Sequence, residues 1–303
     1  MPFELQAPVI FRTPAKVTFR LEVLSRRPDG YHDVRIAQAP VSLYDALELH
    51  PLPGGEIMLE THSPWPLGPE GENLAVRAAR AFFAQAAGPG APAPGLRIVL
   101  RKAIPPGGGM GGGSGNAGGM LHVLNALAGS PLDEAALGAM ALKLGADVPF
   151  FLQPAPGWAL GVGERLAPLG AHAPVPLVLL TPPVHIATAE AYRHVHPGDA
   201  RTAEDQIALK EPSFATLDDV RGALFNAFEA ALLPRVPELG QARAALLEAG
   251  ALAAQLSGSG ATVFGLFGSP GASQAAATAL KDNPALRGWF VHACASLSGH
   301  AYL

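Results

Sequence analysis

Short runs of alternating apolar and polar residues fill the first third of the chain. Successive side chains of a strand point to opposite faces of a sheet, so this alternation predicts strands over 16–23, 42–49, 56–60 and 96–100. Between the last two, apolar residues recur at helical spacing over 73–87. The pattern therefore predicts a helix that crosses a sheet.

A glycine-rich loop over 107–113 is followed by two further helical patterns. The spacing of apolar residues predicts the first helix directly after the loop, through Ala117, Met120, Leu121, Leu124 and Leu127. The second helix is predicted to begin with Ser130 as its cap and Pro131 in its first turn. Asp133 would then lie at the positive end of the helix dipole, and Gly145 would end the helix.

Further strand and helix patterns follow in the second half of the chain. A hairpin through Trp158 and Gly163 precedes a buried strand over 174–181. Later patterns predict helices over 217–233, 237–250 and 272–281, and strands over 262–267 and 289–294. This order is typical of an α+β fold, and we expect two domains, 1–170 and 171–303.

Charge and composition disfavour several classes of partner. The 303 residues carry a net charge of −4 without a run of Lys or Arg, which disfavours nucleic acid and anionic membrane surfaces. The single cysteine, Cys294, permits no intrachain disulfide and no cysteine-based zinc cluster, as is typical of a reducing compartment. No apolar stretch reaches the roughly 18 residues of a membrane span, and the N-terminus lacks the apolar region of a signal peptide. We therefore expect a cytoplasmic protein with a small-molecule ligand.

The segment PPGGGMGGGSGN at 105–116 has the composition of a phosphate-binding loop. Six glycines among the seven positions 107–113 would let backbone N–H groups converge on an anion, and the following helix adds favourable charge. A flexible linker is the structural alternative, although linkers are more often mixed with Ser. The loop is not a Walker A motif, because no Gly-Lys-Ser or Gly-Lys-Thr ends it. A G-x-G-x-x-G spacing from Gly107, with Asp133 further on, leaves a dinucleotide oxidoreductase as the alternative from another chemical class.

Three segments, in this order and at this spacing, resemble the sequence signatures of the GHMP kinases. They are PAK at 14–16, PPGGGMGGGSGNA at 105–117 and LSGSGATVF at 256–264. Two more resemble the branch of that family that phosphorylates a cytidine diphosphate conjugate of methylerythritol: RRPDGYHDV at 26–34 and LGADVPFFL at 144–152. Matches such as ENLAVRAAR and GVGERL spread the similarity over nearly the whole chain.

The resemblance implies a two-domain GHMP kinase fold. Its N-terminal, ATP-binding domain would be like ribosomal protein S5 domain 2, with a left-handed βαβ crossover, and its C-terminal domain would be ferredoxin-like. The crossover opposes the usual preference of handedness, so physical rules alone would not suggest it. The active site would lie between the domains, where ATP, bound with Mg²⁺, would donate its γ-phosphate to the 2-hydroxyl of the methylerythritol unit.

Phosphoryl transfer to a hydroxyl needs alignment, charge neutralisation and often a carboxylate that accepts the alcohol proton. By the resemblance, Asp147 is the candidate base. Pro149 disfavours a helical conformation at Val148 and would fix the junction that holds Asp147. Lys16 would lie beside it, keep the carboxylate ionised and stabilise developing negative charge. Without the resemblance, Asp147 would be a turn residue and Lys16 an exposed strand lysine.

The resemblance also assigns binding residues. His32 would contact the edge of the cytosine and Tyr192 its face, with Tyr31 and Thr18 also on the substrate side; packing of a turn and of a helix core are the structural alternatives. The implied ATP-binding residues are Pro105, Pro106, Gly107, Gly108, Gly109, Met110, Gly111, Gly112, Gly113, Ser114 and Gly115, with Asn73 and Lys102 on the adenine side.

Two positions depart from the family pattern. Gly115 stands where the family commonly has a second serine after Ser114, and Thr18 stands where it has asparagine. Loss of the hydroxyl would alter how phosphate or magnesium is held, and threonine has fewer hydrogen-bonding groups than asparagine. A second small-residue turn, SGSGA at 257–261, would either approach the phosphates or simply join a helix to a strand.

Two other functions compete with this interpretation. Another GHMP kinase would act on a mevalonate-like or sugar substrate, and the two cytidyl-type segments argue against it. A non-catalytic protein of this fold would be expected to lose Lys16, Asp147 or the loop glycines, which this chain keeps. No histidine is paired with carboxylates at metal-ligand spacing, so we expect Mg²⁺ to arrive with ATP.

Overall fold

The structure is a computed structural model that describes residues 5, 7–86, 94–195 and 212–299. Its strands are β1 (Val9–Arg26), β2 (His32–Leu52), β3 (Ile57–His62), β4 (Gly95–Arg101), β5 (Gly157–Gly161), β6 (Arg165–Pro168), β7 (Pro176–Thr181), β8 (Phe225–Asn226), β9 (Ala253–Leu256), β10 (Val263–Leu266) and β11 (Phe290–Ala295). Its helices are α1 (Leu74–Ala86), α2 (Gly112–Leu127), α3 (Glu134–Leu144), α4 (Thr188–Arg193), α5 (Leu217–Ala223), α6 (Ala227–Leu232), α7 (Pro237–Glu248) and α8 (Pro270–Asp282).

A long hairpin forms the centre of the first sheet. β1 and β2 pair antiparallel, and the predicted strands 16–23 and 42–49 lie inside them. The sheet has the order β3-β4-β2-β1-β8, while β5 pairs with β2 and β6 pairs with β5. The β1–β2 register shifts between Pro14 and Ala15, where proline has no N–H to donate to the ladder. This irregularity directly precedes Lys16.

The strands β3 and β4 are parallel neighbours joined through α1. The helix predicted over 73–87 is confirmed as α1, except that residue 87 lies outside the described residues. One face of α1 is fully buried, through Ala75, Ala78, Ala79 and Phe82. This i, i+3, i+4, i+7 spacing is the stripe by which a helix packs on a core. The helix crosses the sheet as predicted, while the hand of the crossover stays a prediction.

Asp133, and not Ser130, caps α3. The Asp133 carboxylate accepts a hydrogen bond from the Ala136 N–H at 2.8 Å. Ser130 has a left-handed φ of 59°, and its N–H donates to the Asn125 carbonyl, so it belongs to the turn after α2. The prediction was wrong because serine and aspartate are both capping residues, and sequence alone does not select between them. The predicted end at Gly145 is confirmed.

The second sheet is antiparallel, in the order β11-β7-β10-β9. The helices α7 and α8 pack against it, α7 preceding β9 and α8 lying between β10 and β11. This is the ferredoxin-like arrangement that the resemblance implied. The strands predicted over 174–181, 262–267 and 289–294 are confirmed within a few residues, but β9 was missed because its four residues, AAQL, show no alternation.

The helical pattern over 217–233 contains a break. α5 ends at Ala223, and β8 then pairs in parallel with Arg20 and Leu21 of β1 before α6 begins. Asn226 explains the break. Its Oδ1 accepts from the Phe228 N–H and so caps α6, while its Nδ2 donates to the carbonyls of Leu256 and Gly258. An apolar pattern that suits one long helix is thus overridden by a capping asparagine and a strand pairing.

The two sheets share a packed core. Phe19 of β1 contacts the rings of Phe214 and Phe264, with centroid separations of 6.2 and 6.0 Å. All three rings are almost completely buried, so apolar packing holds the two sheets together. A domain boundary near residue 170 stays a prediction. None of the described helices is long and apolar enough to span a membrane.

Candidate active site

Three glycines of the glycine-rich loop have backbone conformations that disfavour side chains. Gly107, Gly109 and Gly111 have φ values of 69°, 73° and 69°. Gly111 is also the N-cap of α2, and no side chain of the described residues caps that end. The start of α2, with its first N–H groups and the positive end of the helix dipole, therefore favours an anion.

The loop is fixed to both halves of the molecule by hydrogen bonds to its carbonyls. The Lys16 N–H donates to Met110 O at 2.9 Å, and the Thr262 N–H donates to Gly108 O at 3.1 Å. The Ser257 hydroxyl donates to Gly109 O, also at 3.1 Å. The small-residue turn at 257–261 thus supports the phosphate-type loop, and it joins β9 to β10, not a helix to a strand as one interpretation had it.

The expected proximity of Lys16 and Asp147 is confirmed. Lys16 Nζ lies 3.2 Å from Asp147 Oδ1. The two side chains differ in access, because the Lys16 side chain is 5% exposed and that of Asp147 is 44% exposed. Lys16 Nζ also donates to Gln38 Oε1 at 2.9 Å. The pair therefore has a buried, fixed cation and an accessible carboxylate.

The junction that holds Asp147 differs from the expectation in one respect. Val148 is helical, with φ −63° and ψ −39°, although it precedes a proline. Its N–H donates to Gly145 O, and Pro149 then begins a 3-10 turn, Pro149–Leu152, in which a missing N–H is tolerated. The carboxylate still emerges from a defined corner between α3 and this turn.

Two cavities meet at Asp147. The first, of about 410 Å³, is lined by Lys16, the loop glycines, His185 and residues 258–260. The second, of about 750 Å³, is lined by Tyr31, His32, Ala159, Arg193 and others. Ile36, Ser114, Asp147, Thr188 and Tyr192 line both. A carboxylate at this junction can reach a group in either cavity.

The rings of His32 and Tyr192 form a stack in the larger cavity. Their centroids are 4.9 Å apart with an interplanar angle of 18°, and Tyr192 also meets Phe228 edge to face. Burial, followed by the nearby Arg26, lowers the pKa of His32, which favours the neutral ring. Burial, followed by the charge of Asp147, raises the pKa of Tyr192 to about 12. Tyr31 is 64% exposed at the rim.

The two residues expected on the adenine side have defined structural contacts. Asn73 Oδ1 accepts from the Ala75 N–H at 3.0 Å and so caps α1, and Asn73 also lines a third cavity of about 210 Å³ with Trp65. Lys102 forms a buried ion pair with Asp45. A Cβ on Gly112 would lie 3.1 Å from Lys102 Nζ, so this ammonium lies beneath the start of α2.

The two departures from the family pattern have different surroundings. A Cβ on Gly115 would lie 3.1 Å from Pro14 O and 3.5 Å from the Phe151 ring, so glycine allows α2 to pack closely on β1. Thr18 is completely buried, and its Oγ1 has no hydrogen-bond partner among the described residues. Its substrate-binding role stays a prediction.

Sequence reasoning missed three residues beside the site. Gln38 contacts Lys16, Asp45 accepts from Lys102 and from two backbone N–H groups that lead into the loop, and His185 Nδ1 lies 3.0 Å from where a Cβ on Gly107 would be. Gln38 and Asp45 are polar residues inside apolar strand runs, IAQAPV and LYDAL, which is a signal that the sequence does contain. The described residues include no cluster of three or more His, Cys, Asp or Glu side chains placed to hold a metal.

Two family models match the chain. The model for the GHMP kinases N terminal domain matches residues 73–154, and the model for the GHMP kinases C terminal matches residues 208–285. The glycine loop and Asp147 lie within the first match. Asp133 lies at the start of α3 and not at a strand end, so the dinucleotide alternative loses its acidic residue.

Two relatives are similar to this chain over most of its length. A 4-diphosphocytidyl-2-C-methyl-D-erythritol kinase of Syntrophotalea carbinolica is 38% identical over 283 residues, which are 93% of this chain and 97% of the relative. A protein of the same name from Symbiobacterium thermophilum is 43% identical over 255 residues, which are 83% of this chain and 88% of the relative.

The solved structures of two kinases are also similar to this chain. A crystal structure of 4-(cytidine 5'-diphospho)-2C-methyl-D-erythritol kinase has a TM-score of 0.76 and 37% identity, with 95% of this chain and 100% of that chain covered. A homoserine kinase from Cytophaga hutchinsonii has a TM-score of 0.72 at 18% identity, covering 99% of this chain and 98% of that chain, and this likeness concerns the fold alone.

Proposed function

The chain belongs to the GHMP kinases, and within them to the 4-diphosphocytidyl-2-C-methyl-D-erythritol kinases, and from this premise we propose that Lys16 and Asp147 perform its phosphoryl transfer. The enzyme is a phosphotransferase with an alcohol group as acceptor, in the non-mevalonate pathway to isoprenoids. The proposed reaction moves the γ-phosphate of ATP to the 2-hydroxyl of 4-diphosphocytidyl-2-C-methyl-D-erythritol. One observation carries the assignment of residues: Asp147 lies where the loop cavity meets the ring-lined cavity.

The nucleotide phosphates belong in the smaller cavity. The positive φ of Gly109 and Gly111 and the uncapped start of α2 support this placement, because backbone N–H groups can there approach an anion without hindrance from a Cβ. Mg²⁺ is expected to bind with ATP and to neutralise phosphate charge. Ser114, which lines both cavities at the first turn of α2, is the hydroxyl best placed to contact the phosphates or their metal.

Asp147 is proposed to accept the proton of the acceptor hydroxyl. Its exposed carboxylate can contact a substrate in the larger cavity, and its ion pair with Lys16 holds it where the two cavities meet. The Lys16 ammonium is buried and fixed at 3.2 Å from that carboxylate. It is therefore proposed to stabilise the negative charge that develops on the attacking oxygen and on the transferred group.

The cytidyl group belongs in the larger cavity, beside His32 and Tyr192. A neutral His32 ring has one N–H donor and one acceptor nitrogen, which suits the hydrogen-bonding edge of cytosine. Tyr192 offers an aromatic face, and Tyr31 stands at the rim. Asn73 and Lys102 are proposed on the adenine side, Asn73 beside the third cavity and Lys102 through its support of the loop. A cytoplasmic location, where ATP is supplied, completes the proposal.

Acceptor specificity tests this function. We expect ATP-dependent phosphorylation of the cytidyl substrate with a kcat/KM about 100-fold or more above that for methylerythritol phosphate, because base stacking and edge hydrogen bonds are then lost. Mevalonate should react more slowly still. Measurement of ADP release with each acceptor decides between the candidates, and a preference for mevalonate would indicate another GHMP kinase.

A further inference from the structure

Lys16 makes a buried hydrogen bond that the proposed chemistry does not yet use. Its Nζ donates to Gln38 Oε1 at 2.9 Å, a shorter contact than the 3.2 Å to Asp147. Gln38 is 1% exposed and Lys16 is 4% exposed, so water does not compete for this bond. The acceptor is a neutral amide, although the donor is a buried cation.

Lys102, which is also buried, has a charged acceptor where Lys16 has the neutral amide of Gln38. Lys102 is paired with the carboxylate of Asp45, which is completely buried and also accepts from the Ala103 and Ile104 N–H groups. That carboxylate neutralises the ammonium, as suits a structural support. Lys16 instead has its ion pair with the exposed Asp147 carboxylate, and the amide of Gln38 adds a directed bond without a second negative charge.

The strands fix the direction of this bond. In the β1–β2 register, Lys16 lies opposite Pro40 and Thr18 lies opposite Gln38. Residues 16 and 18 are two apart on one strand and share a face, and directly paired residues of neighbouring strands also share a face. The Gln38 carboxamide is therefore held beside Lys16 by the central hairpin of the sheet, not by a loop.

We propose that Gln38 is a positioning residue for the phosphoryl transfer. An ammonium has three N–H donors in a tetrahedral arrangement, so a fixed bond to Gln38 limits the directions of the other two. One of these reaches Asp147, and the third is left for the attacking oxygen or the transferred phosphoryl group. Gln38 thereby sets where the Lys16 charge acts, without neutralising it. This inference rests on the proposed roles of Lys16 and Asp147.

A double-mutant cycle tests the inference in the full-length enzyme. Gln38→Met keeps the length of the side chain but removes the acceptor, and Lys16→Met removes the donor. We expect Gln38→Met to lower kcat by about 10- to 100-fold, the range for loss of a hydrogen bond to a charged group, with ATP affinity within about two-fold of wild type. In the Lys16→Met background the same substitution should change kcat by less than about two-fold. An equal loss in both backgrounds would mean a structural role and would overturn the proposal.

A matched control is Gln255→Met. Gln255 is also a buried glutamine beside β1, but its amide donates to the backbone carbonyls of Thr18 and Phe19. Any effect of this substitution on kcat should be the same with and without Lys16→Met. Coupling as large as that of Gln38 would show that disturbance of β1, and not the Lys16 contact, is being measured, and would overturn the proposal.

A second variant keeps the test decisive if Gln38→Met fails to fold. Gln38→Glu preserves the shape and an acceptor but adds a charge that competes with Asp147 for Lys16. It should retain its melting temperature and lose about ten-fold or more in kcat, and wild-type kcat would contradict the need for a neutral acceptor. The assays use whichever acceptor the wild-type enzyme phosphorylates best, so an error in the proposed substrate shows in the wild type and leaves the coupling measurable.

Discussion

The stack of His32 on Tyr192 shows how single residues acquire their properties from the fold. The resemblance implied that both rings contact cytosine, but no sequence pattern predicted that the two rings would lie 4.9 Å apart. The histidine comes from the start of β2 and the tyrosine from α4, so their contact depends on how the two halves pack. The cytosine is expected to join or displace part of this stack.

Removal of the tyrosine ring should therefore weaken binding of the cytidyl substrate and hardly change binding of ATP. Stacking on an aromatic ring contributes roughly 1–3 kcal/mol per base, so Tyr192→Ala should raise the KM for this substrate about ten-fold or more. Tyr192→Phe keeps the ring and should stay within about three-fold of wild type. Steady-state kinetics with each substrate varied in turn provide the measurement. An unchanged KM in Tyr192→Ala would remove Tyr192 from the proposed pocket.

Residue-scale prediction succeeded where a motif fixed the residue type and failed where only the fold brings residues together. Lys16 and Asp147 were expected to be neighbours because of their motifs, and they are. Gln38 and Asp45 were not expected beside the site, since each is a single polar residue in an apolar strand and its partner lies far away in the chain. Such a residue reports a buried contact but not the identity of the partner.

At the scale of elements, the glycine loop is constrained by its neighbours as well as by its own backbone. A Cβ on Gly109 would lie 2.3 Å from Ser257 O, and one on Gly111 would lie 2.7 Å from the Phe151 ring and 3.2 Å from Lys16 Cγ. The loop is therefore packed from both sides. By contrast, a Cβ on Gly113 would make only an ordinary contact, at 3.5 Å from Leu74.

Alanine substitutions in the loop should separate these constraints. Gly109→Ala would force a Cβ against backbone and should weaken ATP binding at least ten-fold, because the loop must move. Gly111→Ala should both weaken ATP binding and lower kcat, since it presses on the Lys16 side chain. The control is Gly240→Ala in α7, where a Cβ meets nothing within 4 Å and ATP binding should not change. Nucleotide titration of the three variants checks this, and wild-type affinity in Gly109→Ala would argue against a phosphate-binding loop.

Element prediction failed mainly where capping competes with periodicity. The apolar pattern over 217–233 is continuous, yet α5 ends at Ala223 and α6 begins after Asn226, whose side chain accepts from the Phe228 N–H and donates to the carbonyls of Leu256 and Gly258. The start of α3 was misplaced for a related reason, since Ser130 and Asp133 offer the same kind of cap. Periodicity locates the apolar face of a helix, whereas side-chain hydrogen bonds decide where the helix ends.

At the scale of the whole molecule, the order of strands could not be predicted from the sequence pattern. Alternation and apolar runs together predicted most strands, but they contain no information on which strands become neighbours. The two-residue strand β8 joins the first sheet from the second half of the chain. The ferredoxin-like order came from the resemblance and was confirmed. Long-range pairing depends on how the apolar faces pack together, which a local pattern does not report.

His172 lies where the two halves meet, and it should make stability depend on pH. Its Nε2 contacts Ser296 Oγ at 3.0 Å, its ring lies 5.6 Å from Phe19, and its Nδ1 is buried with no partner among the described residues. Burial lowers the pKa of His172 to about 4 from an ordinary value of 6.5. Between pH 6.5 and about 4, His172 is therefore protonated in the unfolded chain and neutral in the folded protein.

The stability due to a neutral His172 should therefore be fully present above pH 6.5 and be lost as the pH falls toward 4. His172→Gln removes the titrating group but keeps polar atoms, so its free energy of unfolding should decline less steeply across this range. His32 and His292, whose pKa values are also lowered, are present in both proteins and do not affect the difference. Denaturant unfolding at several pH values tests this, and parallel curves for the two proteins would contradict it.

The central claim is that the cleft performs phosphoryl transfer with Asp147 as its base, and the kcat of Asp147→Asn tests it most directly. The amide keeps the shape of the side chain and an acceptor for Lys16 but cannot take the proton. General base catalysis contributes about 10²- to 10⁴-fold, so we predict that kcat for the cytidyl substrate falls by that factor while ATP affinity and melting temperature stay near wild type. A kcat close to that of the wild-type enzyme would contradict the account.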